Sequence, residues 1–301
     1  MSPGSAALQM KDKVVAITGA GRGIGRAIAI AMAAEGASVI VNDLGSDDHG
    51  RGSNPSPADE VVKEIRAAGG SAVANHRDVA DFDEAAEIIG SAVEHFGRLD
   101  VLVNNAAVHF HATVEDHSSE DWDRVLAVNA KGAFNCAHHA LPVMREGGWG
   151  SIINMVSGAF WEGTAHLASY GASKGASMGL MLTLDTEFRE HNINSNCISP
   201  SVTHTRLVDR WLADLSESSE TTEEDVKQQW GVQTPENLAP LAIYLASDRG
   251  HAISGQIFEV QDDQIIAVSP PTRGNRIQRS GEHWELETLA SAIPGISGHT
   301  P

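Results

Sequence analysis

The sequence is poor in cysteine, with two in 301 residues, Cys136 and Cys197. They form no C-x-x-C pair, so neither a disulfide-stapled fold, a zinc knuckle nor a redox dithiol is supported, and a reducing compartment is the default. Positive charge is scarce as well: 21 Lys and Arg stand against 40 Asp and Glu, a formal net charge of −19. A field of that sign repels nucleic-acid backbones and anionic membrane surfaces, and no basic patch offsets it, so neither is expected as a partner. Long apolar runs are missing too. The most apolar window, Ala27 to Val41, is broken by Glu35 and Gly36 and falls short of the roughly 18 residues a membrane span needs. Residues 1–10 lack the basic and apolar regions of a secretory leader and read as a flexible lead-in. A soluble, cytoplasmic protein is the expectation. No H-E-x-x-H or paired-cysteine pattern accompanies His109 and His111, so no metal is expected.

What is present is a repeating alternation. Lys13 to Thr18 is a β-branched apolar run, followed at once by glycines and then by apolar residues at helical spacing. Further strands are expected at Ala37 to Asn42, Ala72 to His76, Leu99 to Asn104, Ser151 to Val156, Ile193 to Ile198 and Gly255 to Val260. Between them lie predicted helices at Ala58 to Ala68, Asp81 to Phe96, Ser118 to Arg145, Ala168 to His191 and Pro235 to Ala246. Parallel strands need crossovers, so the pattern implies an α/β fold: one Rossmann-type, doubly wound parallel sheet of about seven strands with helices on both faces. The catalytic domain is expected over residues 11–262. An acidic stretch from Thr203 to Trp230 reads as a lid or a solvated helix pair. Residues 263–301 form an extension, in which Glu285 to Ala292 is long enough for two helical turns.

Three groups of residues carry chemistry. Gly19, Gly21, Arg22, Gly23, Ile24 and Gly25 lie between the first strand and the first helix, where glycines let backbone amides and the helix N-terminus approach a pyrophosphate. Asp43 ends the second strand, where a carboxylate accepts hydrogen bonds from adenosine ribose hydroxyls and repels a 2′-phosphate, favouring NAD; Arg22 pulls the other way. It can also serve as a turn-initiating Asx residue. Tyr170 and Lys174, at i and i+4, share a helix face, and Ser157 precedes the tyrosine at the end of a strand. A fixed ammonium near a phenol favours the phenolate, so Lys174 is expected to lower the Tyr170 pKa. Ser157 lacks the G-x-S-x-G elbow of a hydrolase, and no lysine-bearing P-loop is present.

Over roughly Lys11 to Val260 the sequence resembles the short-chain dehydrogenase/reductase family. The resemblance implies that Asn129, Ser157, Tyr170 and Lys174 form a catalytic tetrad. It further implies that the glycine segment, Asp43, Asp78, Val79, Asn105, Ala106, Tyr170, Lys174, Pro200, Thr203 and Thr205 hold NAD. The stretch Val41 to Gly45, with Pro57 to Val62 after it, looks more narrowly like the (3R)-hydroxyacyl-CoA dehydrogenase part of multifunctional β-oxidation enzymes. Two departures stand out: Pro200-Ser201 replaces the family's usual Pro-Gly, and Ala107 replaces a frequent glycine after Asn-Asn-Ala.

The expected activity is hydride exchange between NAD(H) and a secondary alcohol or ketone, a small-molecule substrate. The rivals are an NADPH-dependent 3-oxoacyl thioester reductase and a dinucleotide-binding protein without catalysis. The family's relatives usually associate through the helices here spanning Ser118 to Arg145 and Ala168 to His191. Met178, Leu182 and Leu184 beside Leu180 and Met181 exceed one core-facing stripe, so a homo-oligomer, a tetramer, is expected.

Overall fold

Every residue of the run Val14–Thr18 is buried, and it forms a central strand, β1. A computed structural model describes residues 8–47, 49–206, 208–209, 222, 225, 231–278 and 283–297. The other strands are β2 (Ser38–Asn42), β3 (Ser71–Asn75), β4 (Val101–Asn104), β5 (Gly150–Met155), β6 (Ile193–Pro200), β7 (Ile257–Gln261) and β8 (Gln264–Val268). They make one sheet in the order β3-β2-β1-β4-β5-β6-β7-β8, parallel throughout except for β8, which runs antiparallel to β7. The seven parallel strands are those expected. The chain winds outward from β1 in one direction to β3 and in the other from β4 onward, which leaves a crevice at the strand ends between β1 and β4.

Alternation along each strand divides the core between two faces. Val15, Ile17, Val39 and Val41 pack on one side with α1 (Gly23–Ala34) and α2 (Ser56–Ala67). Val14, Ala16, Ile40 and Leu102 pack on the other with α3 (Phe82–Phe96). The expected long helix from Ser118 to Arg145 is three segments: α4 (Ser119–Val125), a π-helical stretch Leu126–Lys131, and α5 (Gly132–Gly147). The second face also receives α5 and, after the short α6 (Ala159–Glu162), α7 (Ala168–Phe188). On the first face the chain closes with α8 (Ala239–Ala246).

Several boundaries differ from the sequence reading. Met10, expected in a flexible lead-in, is fully buried in the core, and Gln9 and Met10 donate their amides to Glu35. The sheet does not stop at residue 262, because Gln264–Val268 folds back along β7 as its edge strand. The compact unit accordingly runs to Val268, and Ser269–Pro301 is a second unit. In that unit α9 covers Leu286–Ser297, longer than the helix expected over Glu285 to Ala292. Leu184 and Met181 are buried within the monomer, so they do not belong to the surplus apolar face expected on α7; Met178, Leu180 and Leu182 are half-buried. Most of the acidic segment between Leu207 and Trp230 lies outside the described residues.

Candidate active site

The glycine turn is built for close approach. Gly19 has φ +62°, a conformation that side chains with a Cβ avoid, and a Cβ on Gly25 would meet the Asn105 amide nitrogen at 2.5 Å. Asn105 explains the tightness: its Nδ2 donates to the carbonyls of Thr18 and Gly19, both at 2.9 Å. Thr18 Oγ1 in turn accepts from the amides of Asn105 and Ala106 at 3.0 Å. The loops after β1 and β4 are thereby locked together at the crevice, and α1 starts there with its N-terminus facing it.

A cleft of about 220 Å³ follows. Gly19, Arg22, Gly23, Ile24 and Asp43 line one part of it. Asp78, Val79, Asn105, Ala106, Pro200 and Thr205 line the rest of the expected cofactor path, which ends on Tyr170 and Lys174. Gly21 and Gly25 support the turn without lining the cleft. Asp43 Oδ2 accepts from Gly21 N at 2.8 Å and Oδ1 from Gly45 N at 2.7 Å, so the carboxylate is both an Asx turn and a cleft wall. Thr203 is placed elsewhere: it is buried beneath the loop, its hydroxyl donates to Ser201 O at 2.9 Å, and Gln233 Nε2 reaches it at 3.3 Å. Ser201, the departure from Pro-Gly, is anchored the same way, accepting from Gln233 Nε2 at 3.0 Å. Its backbone is not in the left-handed region, so serine is accommodated without strain.

At the inner end of the cleft the four tetrad positions converge. Tyr170 and Lys174 lie one turn apart on α7, and Ser157, just beyond β5, hydrogen-bonds Tyr170. Lys174 Nζ lies 5.4 Å from the Tyr170 ring centroid and donates to Met155 O at 2.8 Å. Asn129 sits in the π-helical stretch, a widening that helices commonly carry at functional sites. Its amide brackets one residue, accepting from Val108 N and donating to Val108 O, both at 2.9 Å, and it also donates to Ser173 Oγ at 3.0 Å. Asn129, Lys174, Ser177 and Asn104 share a small cavity of about 10 Å³, close to the space one water needs.

Burial dominates the electrostatics here. It pushes the Tyr170 phenol from 10.0 up to about 12, against the pull of the Ser157 hydrogen bond. It draws the Lys174 ammonium from 10.5 down to about 8, opposed by the neighbouring Cys197 thiol. The expected lowering of the phenol by Lys174 is therefore not found. The ammonium is held against a backbone carbonyl, and removing both groups from water costs more than their proximity returns.

Sequence reasoning missed several neighbours of the cleft. Arg124 of α4 donates to Gly50 O at 2.7 Å and lies 3.4 Å from Asp78 Oδ2, and Arg206 donates to Ser46 O at 3.2 Å. Together they tie down the loop after β2. No local motif marks either arginine. His109 lies edge-on to Tyr170 with ring centroids 6.2 Å apart. Among the described residues, no group of three or more His, Cys, Asp or Glu could hold a metal ion.

Comparison with known proteins places the chain among relatives. A family model described as short chain dehydrogenase matches residues 13–216. Peroxisomal multifunctional enzyme A of Dictyostelium discoideum is 39% identical over 274 residues, 91% of this chain and 56% of that protein. The chain thus spans little more than half the length of that relative. The crystal structure of a short chain dehydrogenase from Mycobacterium avium is 35% identical, with a TM-score of 0.81 and 97% of each chain covered. A chain from Beutenbergia cavernae, described as an NAD(P)-dependent gluconate 5-dehydrogenase with NADP bound at low occupancy, is 31% identical, with a TM-score of 0.74, covering 85% of this chain and 98% of that one.

Proposed function

Because the chain belongs to the short-chain dehydrogenase/reductase family, we propose that it is an NAD(H)-dependent oxidoreductase that interconverts a secondary alcohol and a ketone. The observation that carries this reading is the convergence of Ser157, Tyr170 and Lys174 at the inner end of a cleft walled by the glycine turn and Asp43. The cleft suits a dinucleotide: Gly19, Arg22 and Gly23 of the glycine turn line it, and the α1 N-terminus faces it. When bound, the nicotinamide supplies the acceptor or donor of hydride.

The protein's own groups manage the proton. Tyr170, neutral with its pKa raised to about 12, is a ready proton donor to a ketone oxygen. In the oxidising direction Tyr170 must first give up its own phenolic proton, and the phenolate, with Lys174 as the adjacent cation, then takes the substrate hydroxyl proton. Ser157 Oγ, already hydrogen-bonded to Tyr170, holds the substrate oxygen in line with it. Asn129 fixes the wall of the site and, with Lys174 and Ser177, borders a small cavity beside the tetrad.

Asp43 favours NAD, since its carboxylate faces the cleft at the end of β2 and repels a 2′-phosphate. A second reading, an NADPH-dependent reductase of 3-oxoacyl thioesters, draws on Arg22, which lines the same part of the cleft. Cofactor choice and activity are tested together by titrating NADH and NADPH and then following NADH absorbance with acyl-CoA thioesters, steroids and small cyclic alcohols. Dinucleotide binding with no turnover of any of these would favour a binding protein over an enzyme. We also propose a homotetramer, on the exposed Trp122 and Phe134 of α4 and α5 and the half-buried apolar residues of α7.

A further inference from the structure

Both polar atoms of the Gln233 side chain are paired, although the residue is only 2% exposed. Its Nε2 donates to Val260 O at 2.8 Å and to Ser201 Oγ at 3.0 Å, with Thr203 Oγ1 a further acceptor at 3.3 Å. Its Oε1 accepts from Asp262 N at 3.1 Å. The backbone adds two more bonds: Gln233 N donates to Val202 O at 2.9 Å, and Gln233 O accepts from His204 N at 2.8 Å. One residue therefore ties residues 201–204, the loop after β6, to the end of β7 and the turn beyond it. We propose that Gln233 is a positioning residue for the dinucleotide: acting through Ser201 and Thr203, it holds the loop after β6 in the shape that lets Pro200 and Thr205 wall the cleft. This rests on the cleft being a dinucleotide site.

The two ends of the link are held differently. Val260 belongs to β7, which pairs with both β6 and β8. Gln233 itself leads through Thr234 into the turn Pro235–Leu238, whose Leu238 is fully buried in the core. The loop, by contrast, contributes to no strand of the sheet, and the single bridge at Thr203 is made to Gln233. Pro200 just before this loop, and Thr205 and Arg206 just after it, line the cleft together with Tyr170 and Lys174. Whatever fixes the loop thus fixes that part of the cleft wall.

A loop without such anchors samples several shapes, and a ligand that needs one of them binds more weakly in proportion to the time that shape is absent. A buried glutamine is costly unless its groups are paired. An apolar side chain of similar length would fill the same space without that demand, so the amide is explained by the oxygens it meets. Ser201 supplies one of them, and its own amide donates to the same Val260 carbonyl at 2.9 Å. A glycine at 201 would offer no hydroxyl to the link.

The test measures NADH affinity by fluorescence titration, with Tm alongside, in wild type, Gln233→Met, Ser201→Ala, the variant carrying both changes, and Met10→Ala. Met10 is buried at the opposite end of β1 from the crevice, so its truncation weakens the fold without touching the loop and should leave Kd within about twofold. Gln233→Met should raise Kd about tenfold, the worth of one or two net hydrogen bonds, and Ser201→Ala about threefold. The variant carrying both should match Gln233→Met alone, because the two side chains act through one link. An unchanged Kd in a folded Gln233→Met, a rise in Met10→Ala as large as that in Gln233→Met, or losses that multiply when the changes are combined would overturn the assignment. If Gln233→Met does not fold, Ser201→Ala with Thr203→Val takes its place, with the same rise expected, since it cuts the loop's side of the link and leaves Gln233 bonded to Val260 and Asp262. A wild type that binds neither NADH nor NADPH would instead overturn the dinucleotide site itself, and the role of Gln233 with it.

Discussion

Lys174→Met should make the ligand-free protein more stable while abolishing turnover. Burial draws the ammonium from 10.5 down to about 8, and at about 1.4 kcal/mol per pKa unit the charged form is penalised on the order of 3 kcal/mol. Methionine fills similar volume without the charge but surrenders the hydrogen bond to Met155 O, worth about 1 kcal/mol. The net gain at pH 7 is on the order of 2 kcal/mol, or about 4–8 °C in Tm for a chain of this size. The sign with pH follows from linkage. Between about 8 and 10.5 the unfolded wild type keeps the proton that the folded wild type has released. Wild-type stability therefore rises through that window, and the gap to the variant closes. Above about pH 10 the raised Tyr170 phenol acts oppositely, because the unfolded chain loses that proton first. Urea unfolding of both proteins from about pH 7 to 10 covers the informative range. A variant less stable than wild type at pH 7, or a gap that does not change with pH, would refute the reasoning.

Asp43→Ala should weaken NAD binding about 10- to 100-fold, the worth of charged hydrogen bonds, and raise NADP affinity relative to NAD; direct titration of both cofactors checks this, and wild-type preference for NADP would reverse the assignment. Met10→Ala should cost about 2–5 kcal/mol in denaturant unfolding, because a fully buried side chain is lost; a cost below about 0.5 kcal/mol, typical of surface sites, would place the residue back in a frayed lead-in. Light scattering at micromolar concentration should give a tetramer mass, and a monomer would rule out the proposed association.

Much of the site was legible because its chemistry depends on local patterns. A glycine turn between an apolar run and a helix, an aspartate closing the next strand, and a Tyr and Lys one helical turn apart are all short-range signals. The features that were missed depend on contacts distant in sequence. The π-helical stretch at Asn129 is invisible in the apolar periodicity of Ser118 to Arg145, since one widened turn shifts the phase only slightly. Met10 looks like lead-in until the Glu35 carbonyl, 25 residues on, takes its amide. Strand β8 did leave a signal: the pair Asp262-Asp263 separates Ile257–Gln261 from Gln264–Val268, and Asp262 takes φ +49°, as two-residue hairpin turns often require. The direction of the Tyr170 pKa was misread because sequence shows which charge is near but not how much water is removed. Thr203 was misplaced for a related reason, since the Gln233 contact that draws it under the loop comes from 30 residues away.

The central claim is that Tyr170 transfers the proton in a dinucleotide-dependent alcohol–ketone interconversion. Single-turnover measurement of NADH absorbance, made with wild type and Tyr170→Phe on a ketone that wild type reduces, tests it most directly. The account predicts that the variant still binds NADH, because the ring still packs against α7, while hydride transfer slows by about 10²- to 10⁴-fold. Hydride transfer in Tyr170→Phe within about threefold of the wild-type rate, where loss of a placed acid should cost at least about 10²-fold, would contradict it.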